Sequence, residues 1–80
     1  MLKISKEIGK TLKYLRVRSD VSLEDAAIFI GKSRATLARY ESGSTPIDID
    51  VLWQLAVLYK TGLCELLELA ENLASAEGHC

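Results

Sequence analysis

A single glycine between two serine-capped helical stretches limits this chain more than any other feature. In SLEDAAIFIGKSRATLARYESG, residues 22–43, Ser22 opens one stretch, Ser33 opens the next, and Gly31 stands between them. A serine at a helix start accepts a hydrogen bond from an orphan amide of the first turn. SLED has the capping-box pattern, in which Asp25 reaches back to the cap. A turn of only three residues needs a residue that tolerates positive φ, and Gly31 supplies it. For the two helices to cross steeply and touch, the first needs a small residue at the contact, which is Ala27. The second needs apolar residues facing inward, which are Leu37 and Tyr40, with Ile30 filling in from the first. An alanine, a glycine four later, then apolar residues six and nine beyond the glycine is the pattern of a helix-turn-helix. The plainer alternative is an ordinary αα-corner.

Gly31-Lys32-Ser33 also spells the end of a phosphate-cradling P-loop. That loop needs a second glycine five residues earlier, because bare amides must wrap the phosphates. Position 26 is Ala26, and AAIFI follows a helix cap where a strand should be. The nucleotide reading fails on both counts.

The rest of the chain is helical in period, and no segment alternates as a strand would. Ile4, Ile8, Leu12 and Leu15 form a stripe that predicts a helix over about 4–17, with Arg16 and Arg18 complementing its C-terminal dipole and Ser19-Asp20 breaking it. Ser42-Gly43 closes the helix that Ser33 opens. Asp48 or Asp50 caps a helix running through Tyr59, and Gly62 marks the next break. Leu63, Leu66, Leu67, Ala70, Leu73 and Ala74 then give an amphipathic helix, with residues 76–80 expected to fray. The expectation is an all-α, five-helix single domain over residues 1–80, with the motif at about 22–42 and formed by helices 2 and 3.

Eighty residues with 49% apolar side chains suffice for one small core. Net charge is −1, but it is unevenly spread. Residues 1–40 hold nine Lys/Arg against four acids, a net of +5, and residues 41–80 hold Lys60 against seven acids, a net of −6. Such asymmetry points to a basic working face on an acidic remainder. The start lacks the basic-then-apolar pattern of a signal peptide, and VLWQLAVLY is far short of a bilayer span. Two cysteines do not make a disulfide framework, so a cytoplasmic location is expected. Cys64, His79 and Cys80 lack the spacing of a metal site. No nucleophile–base–acid set is visible, so neither catalysis nor a cofactor is expected.

Residues from about 8 to 68 resemble the phage-repressor family of helix-turn-helix domains, the Cro/lambda-repressor or XRE-like group. The matching residues are Leu12 and Arg16, then SLEDAAIFIG, SRATLARYESG, Pro46, and LAVLY followed by GLCELL. The resemblance implies a five-helix lambda-repressor-like DNA-binding domain that binds operator DNA as a dimer. It further implies an ion pair between Arg16 and Glu41, linking helix 1 to the end of the recognition helix. It places the second motif helix, residues 33–42, in the major groove with its first residues towards base edges.

On that docking, Arg34 and Arg39 are the chemically decisive pair, since a guanidinium can bridge guanine O6 and N7. Ala35 or the Thr36 methyl would meet a thymine methyl. Ser22, Lys32, Ser33, Ser42 and Ser44 sit where backbone phosphates would be gripped; Lys3 and Lys6 stand near the start of helix 1, and Lys6, Lys10 and Lys13 share a polar side from which one or two would approach phosphate. Where the family commonly opens the first motif helix with a phosphate-binding glutamine, this chain has Leu23.

Ile28, Phe29, Trp53 and Val57 are more apolar surface than so small a domain can bury entirely, and unless the 44–50 loop or the last helix covers them they mark, with Leu69 and Leu73, a possible interface. A homodimer is the leading form, with the 63–76 helix and its acids Glu65, Glu68 and Glu71 as a second candidate seam. The function expected is a sequence-specific duplex-DNA-binding transcriptional regulator. The alternative is a protein-interaction module on the same fold, antitoxin-like or complex-assembling, with little specific DNA binding.

Overall fold

The structure is a computed structural model that describes the backbone of residues 4–78 and the side chains of residues 4–74. Its elements are α1 (Ser5–Arg18), α2 (Leu23–Phe29), α3 (Arg34–Ser42), α4 (Ile49–Leu58) and α5 (Leu63–Gly78), with no strand among the described residues. The five expected helices are therefore the five found. α5 carries on through Gly78, past the residue-76 end expected for it, while Lys3, His79 and Cys80 lie outside the described residues. Among the described residues, no helix is long and apolar enough to cross a membrane.

The first four helices stop by one device. In each, a left-handed residue follows the last turn, its amide bonding three residues back and the next amide five residues back, which satisfies orphan carbonyls. Gly31 (φ 68°) and Gly43 (φ 80°) do this for α2 and α3. Asp20 (φ 59°) and Lys60 (φ 55°) do it for α1 and α4, although neither is a glycine. Aspartate enters this region with some ease, but lysine has no local compensation there.

Starts are less uniform. Ser22 Oγ accepts from the Asp25 amide at 3.0 Å and Ser33 Oγ from the Thr36 amide at 3.1 Å, so both serines cap as expected. Only half of the capping box forms, because the Asp25 carboxylate makes no return bond to Ser22. Asp48 occupies the cap position of α4 without a side-chain bond.

The core gathers Ile8, Leu12 and Leu15 from α1, Ala26, Ala27 and Ile30 from α2, Leu37 and Tyr40 from α3, Leu52, Leu55 and Ala56 from α4, and Leu66 and Ala70 from α5. All four motif-packing side chains, Ala27, Ile30, Leu37 and Tyr40, are buried there. Outside it, Ile49, Trp53 and Val57 recur every four residues along the open side of α4, and Trp53 is 58% exposed. Neither the 44–50 loop nor α5 covers that stripe. Ile28 and Phe29 are exposed as well.

What seats α3 is the backbone of α1. A Cβ on Gly9 would lie 2.5 Å from the carbonyl oxygens of both Tyr40 and Glu41, and one on Gly43 would lie 2.6 Å from Lys6 Cα. Backbone atoms cannot rotate out of the way as a side-chain tip can, so these two glycines set the contact distance. A Cβ on Gly31 would meet nothing within 4 Å, so its requirement is purely one of φ.

These differences predict an ordering in thermal melts. Gly9→Ala, which must push α1 off α3, is expected to cost about 3 kcal/mol. Gly31→Ala, strained only in its backbone, should cost about 1 kcal/mol. Lys60→Gly should raise stability by about 0.5 kcal/mol, because relief of the left-handed conformation exceeds the added chain entropy. A Gly9→Ala protein that melts with or above Gly31→Ala would contradict the close backbone contact.

Candidate nucleic-acid interface

α3 is nine residues long, too short to persist alone in water, so its placement comes from packing. Leu37 and Tyr40 turn inward, and that leaves Arg34, Ala35, Ala38 and Arg39 exposed on the opposite side. Thr36 is half-buried and tied down. Its hydroxyl lies 3.0 Å from that of Ser33 and accepts from Arg39 Nη2 at 3.4 Å. One face of α3 thus carries a row of polar groups from Ser33 through Thr36 to Arg39, with Arg34 beside its start.

The end of α3 carries a second polar cluster. Ser42 Oγ donates to the Arg39 carbonyl at 3.0 Å and sits 2.8 Å from Ser44 Oγ. Because Gly43 rests against Lys6 Cα, an exposed lysine stands beside these two hydroxyls. Lys32 is exposed in the turn between α2 and α3, and Ser22 is exposed at the start of α2. Leu23 is half-buried and packs against the core, so the position without a phosphate donor serves burial instead.

Arg16 and Glu41 lock this arrangement from behind. Arg16 Nε donates to Glu41 Oε2 at 2.7 Å and Nη2 to Oε1 at 3.3 Å, while Nη1 donates to the Val21 carbonyl at 3.0 Å. The side chains are 14% and 7% exposed, so the pair is largely withdrawn from water. The hydrogen bond to Glu41 holds the Arg16 guanidinium above its ordinary pKa, against the opposing effect of burial. Tyr59 lies close behind, its hydroxyl buried with no hydrogen-bond partner among the described residues. Burial pushes the Tyr59 phenol well above its ordinary value, the Glu41 charge adds to the shift, and the Arg16 charge opposes it.

Two participants were missed in the sequence: Gly9 and Tyr59. A glycine inside a helical stripe was the available signal for the first, since it costs about 1 kcal/mol relative to alanine and so implies a packing reason. Tyr59 ends the α4 stretch, and nothing local in the sequence ties it to an ion pair between α1 and α3.

Comparison with known proteins agrees with the fold. A family profile described as a helix-turn-helix domain matches residues 7–69. A candidate HTH-type transcriptional regulatory protein of Thermococcus kodakarensis, TK0539, is 29% identical over 69 residues, which is 86% of this chain. The chain spans only 22% of that relative's length. Two crystal structures of the clp gene regulator ClgR from Corynebacterium glutamicum share the fold. One superposes with a TM-score of 0.92 at 17% identity, covering 96% of this chain and 82% of the other. The second gives 0.82 at 18% identity, covering 90% and 94%.

Removing one partner of a withdrawn ion pair leaves the other charge uncompensated. Glu41→Ala is therefore expected to destabilise by about 3 kcal/mol in denaturant unfolding. Tyr59 supplies a pH test. Its folded pKa is raised, so the stability linked to the neutral phenol is complete below the unfolded value of about 10 and is lost as pH climbs towards the folded one. Tyr59→Phe should melt at or above the wild-type temperature at pH 7 and lose less stability between pH 9 and about 11. An equal alkaline loss in both proteins would rule Tyr59 out as its source.

Proposed function

The chain belongs to the helix-turn-helix domain family, and on that premise we propose that it is a sequence-specific duplex-DNA-binding transcriptional regulator. It acts as a homodimer on an inverted-repeat operator, with α3 in the major groove of each half-site. The observation that carries this reading is the pair of exposed guanidinium groups on α3, Arg34 and Arg39, opposite its buried Leu37 and Tyr40. Both arginines stand on a helix fixed at its two ends, which is what bidentate reading of guanine demands. Ala35 and Thr36 complete the base-facing set, and the bonds from Ser33 and Arg39 hold the Thr36 hydroxyl so that its methyl group sets the apolar contact.

Phosphates are gripped on both flanks. Lys32 and Ser33 take those near the start of α3, Ser22 those at the start of α2, and Ser42 and Ser44 those beyond the end of α3. Lys6 joins the last group by its position beside Gly43. The net of +5 in residues 1–40 supplies the field for these contacts. A protein-interaction module on the same fold is the second reading, favoured by the uncovered stripe Ile49, Trp53 and Val57.

Selection of bound duplexes from a random pool at fixed salt tests the first reading. Enrichment of an inverted repeat with half-sites about one helical turn, or 34 Å, apart is expected. Arg39→Ala and Arg34→Ala should each lose about 1–3 kcal/mol on the selected site and relax its sequence at one position. Lys32→Ala should weaken binding evenly across sequences and flatten the salt dependence. Binding that is blind to sequence in the wild type would overturn the operator reading and leave the α4 stripe as the working surface.

A further inference from the structure

Between α1 and α5 runs an open groove of about 470 Å³, lined by Thr11, Tyr14, Leu69 and Leu73 with Lys10 and Asn72 at its edges. A second hollow shares Lys10 and Tyr14 with it and carries the groove along α1 to Lys13, Val17 and Arg18. Tyr14 is 57%, Val17 61% and Leu69 38% exposed, so the floor is apolar and uncovered.

Charge along this groove has one sign. Lys10, Lys13 and Arg18 line it, and no aspartate or glutamate is among its described lining residues. The exposed acids of α5 are engaged elsewhere. Glu65 Oε1 accepts from the Gly62 amide at 3.4 Å, and Glu68 and Glu71 line a separate hollow beside Ile4. The Arg18 guanidinium lies over the Tyr14 ring, 5.5 Å from its centroid, which holds that charge at the edge of the apolar floor. An apolar floor bordered by cations is complementary to an occupant that is apolar on one side and anionic at its flanks.

Shape narrows the choice of occupant. Ligand sites bury about 70–90% of a small molecule's surface, which a floor this open does not do. A length of polypeptide lying along α1 does cover it. The cations span residues 10–18, about 12 Å of helix, and apolar anchors at i, i+4 and i+7 of a docked helix span about 10.5 Å.

We infer that the α1–α5 groove docks an acidic, amphipathic peptide segment of a partner protein. Its apolar side chains rest on Tyr14, Val17, Leu69 and Leu73, and its carboxylates meet Lys13 and Arg18. Gly9 and Arg16, which meet α3, lie on a different side of α1 from Tyr14, so a docked segment leaves α3 in place. The inference therefore stands apart from the operator reading.

Selection from a phage library of random 14-residue peptides, with this chain as bait, tests it. The selected peptides should be acidic, with apolar residues at i, i+3 or i+4, and i+7. Fluorescence anisotropy of the synthetic peptides should show binding weakened about tenfold or more in Lys13→Glu with Arg18→Glu, because like charges then face one another. Tyr14→Ser should weaken it about tenfold, and Arg34→Ala with Arg39→Ala should leave it unchanged. Every one of these positions is exposed, and circular dichroism melts verify that each variant folds. The α3 control is needed because an acidic peptide also mimics DNA phosphates, and loss of binding there instead would overturn the groove. Selected peptides that are neutral or basic, or acidic ones indifferent to the groove variants, would overturn it too. If the chain pairs with itself in sedimentation velocity and Lys13→Glu with Arg18→Glu abolishes the pairing, the occupant is a second copy and the partner segment is wrong.

Discussion

The end of α3 lies directly on the backbone of α1, and the rest of the domain is arranged around that contact. A Cβ at Gly9 or at Gly43 would collide with the facing backbone and hold the helices apart. At these two points backbone meets backbone, and this sets the height of α3 over α1. Its other end is fixed by the small residue Ala27 and the buried Leu37, joined through the left-handed turn at Gly31. A nine-residue helix held at both ends keeps its open face in one orientation. That keeps the two exposed arginines of the helix at a fixed place on the surface.

The Arg16–Glu41 pair adds direction to this contact more than it adds stability. Withdrawing two charges from water roughly offsets their attraction, so an intact pair of this kind contributes little net free energy. The planar fork of an arginine nevertheless has few ways to satisfy both carboxylate oxygens and the Val21 carbonyl together. One guanidinium therefore aligns α1, the turn into α2 and the last turn of α3. A slip of α3 along α1 would strand both charges. Tyr59 closes the back of the site, and its neutral phenol keeps a third charge away from the pair.

Features set by a few neighbouring residues were legible in the sequence. The serine caps at 22 and 33, the left-handed glycines at 31 and 43, and the inward set Ala27, Ile30, Leu37 and Tyr40 all follow from local rules. Features that depend on distant chain were not. Asp20 and Lys60 end their helices as Gly31 and Gly43 do, but an aspartate or lysine there carries no local sign of a left-handed backbone. Gly9 was visible as a residue out of place in a helix, yet its partner is the far end of α3. Asp48 sits at the cap position of α4 without a side-chain bond, and its sequence carries no sign of that. Leu23 departs from the expected donor, and only its half-burial gives the reason.

Net charge would have hidden the division of this molecule into two electrical faces. The domain extends 38 Å along its longest axis, several times the screening length of about 8 Å at physiological salt. Exposed charges more than a screening length apart act nearly independently, so the basic residues of the first half of the chain and the acids of the second do not simply sum. Those acids still act on orientation, because a domain arriving with α5 towards a polyanion is repelled at close range. An overall charge of −1 is then the sum of a net +5 over residues 1–40 and a net −6 over residues 41–80. The division between them, more than their total, determines how the domain meets a duplex.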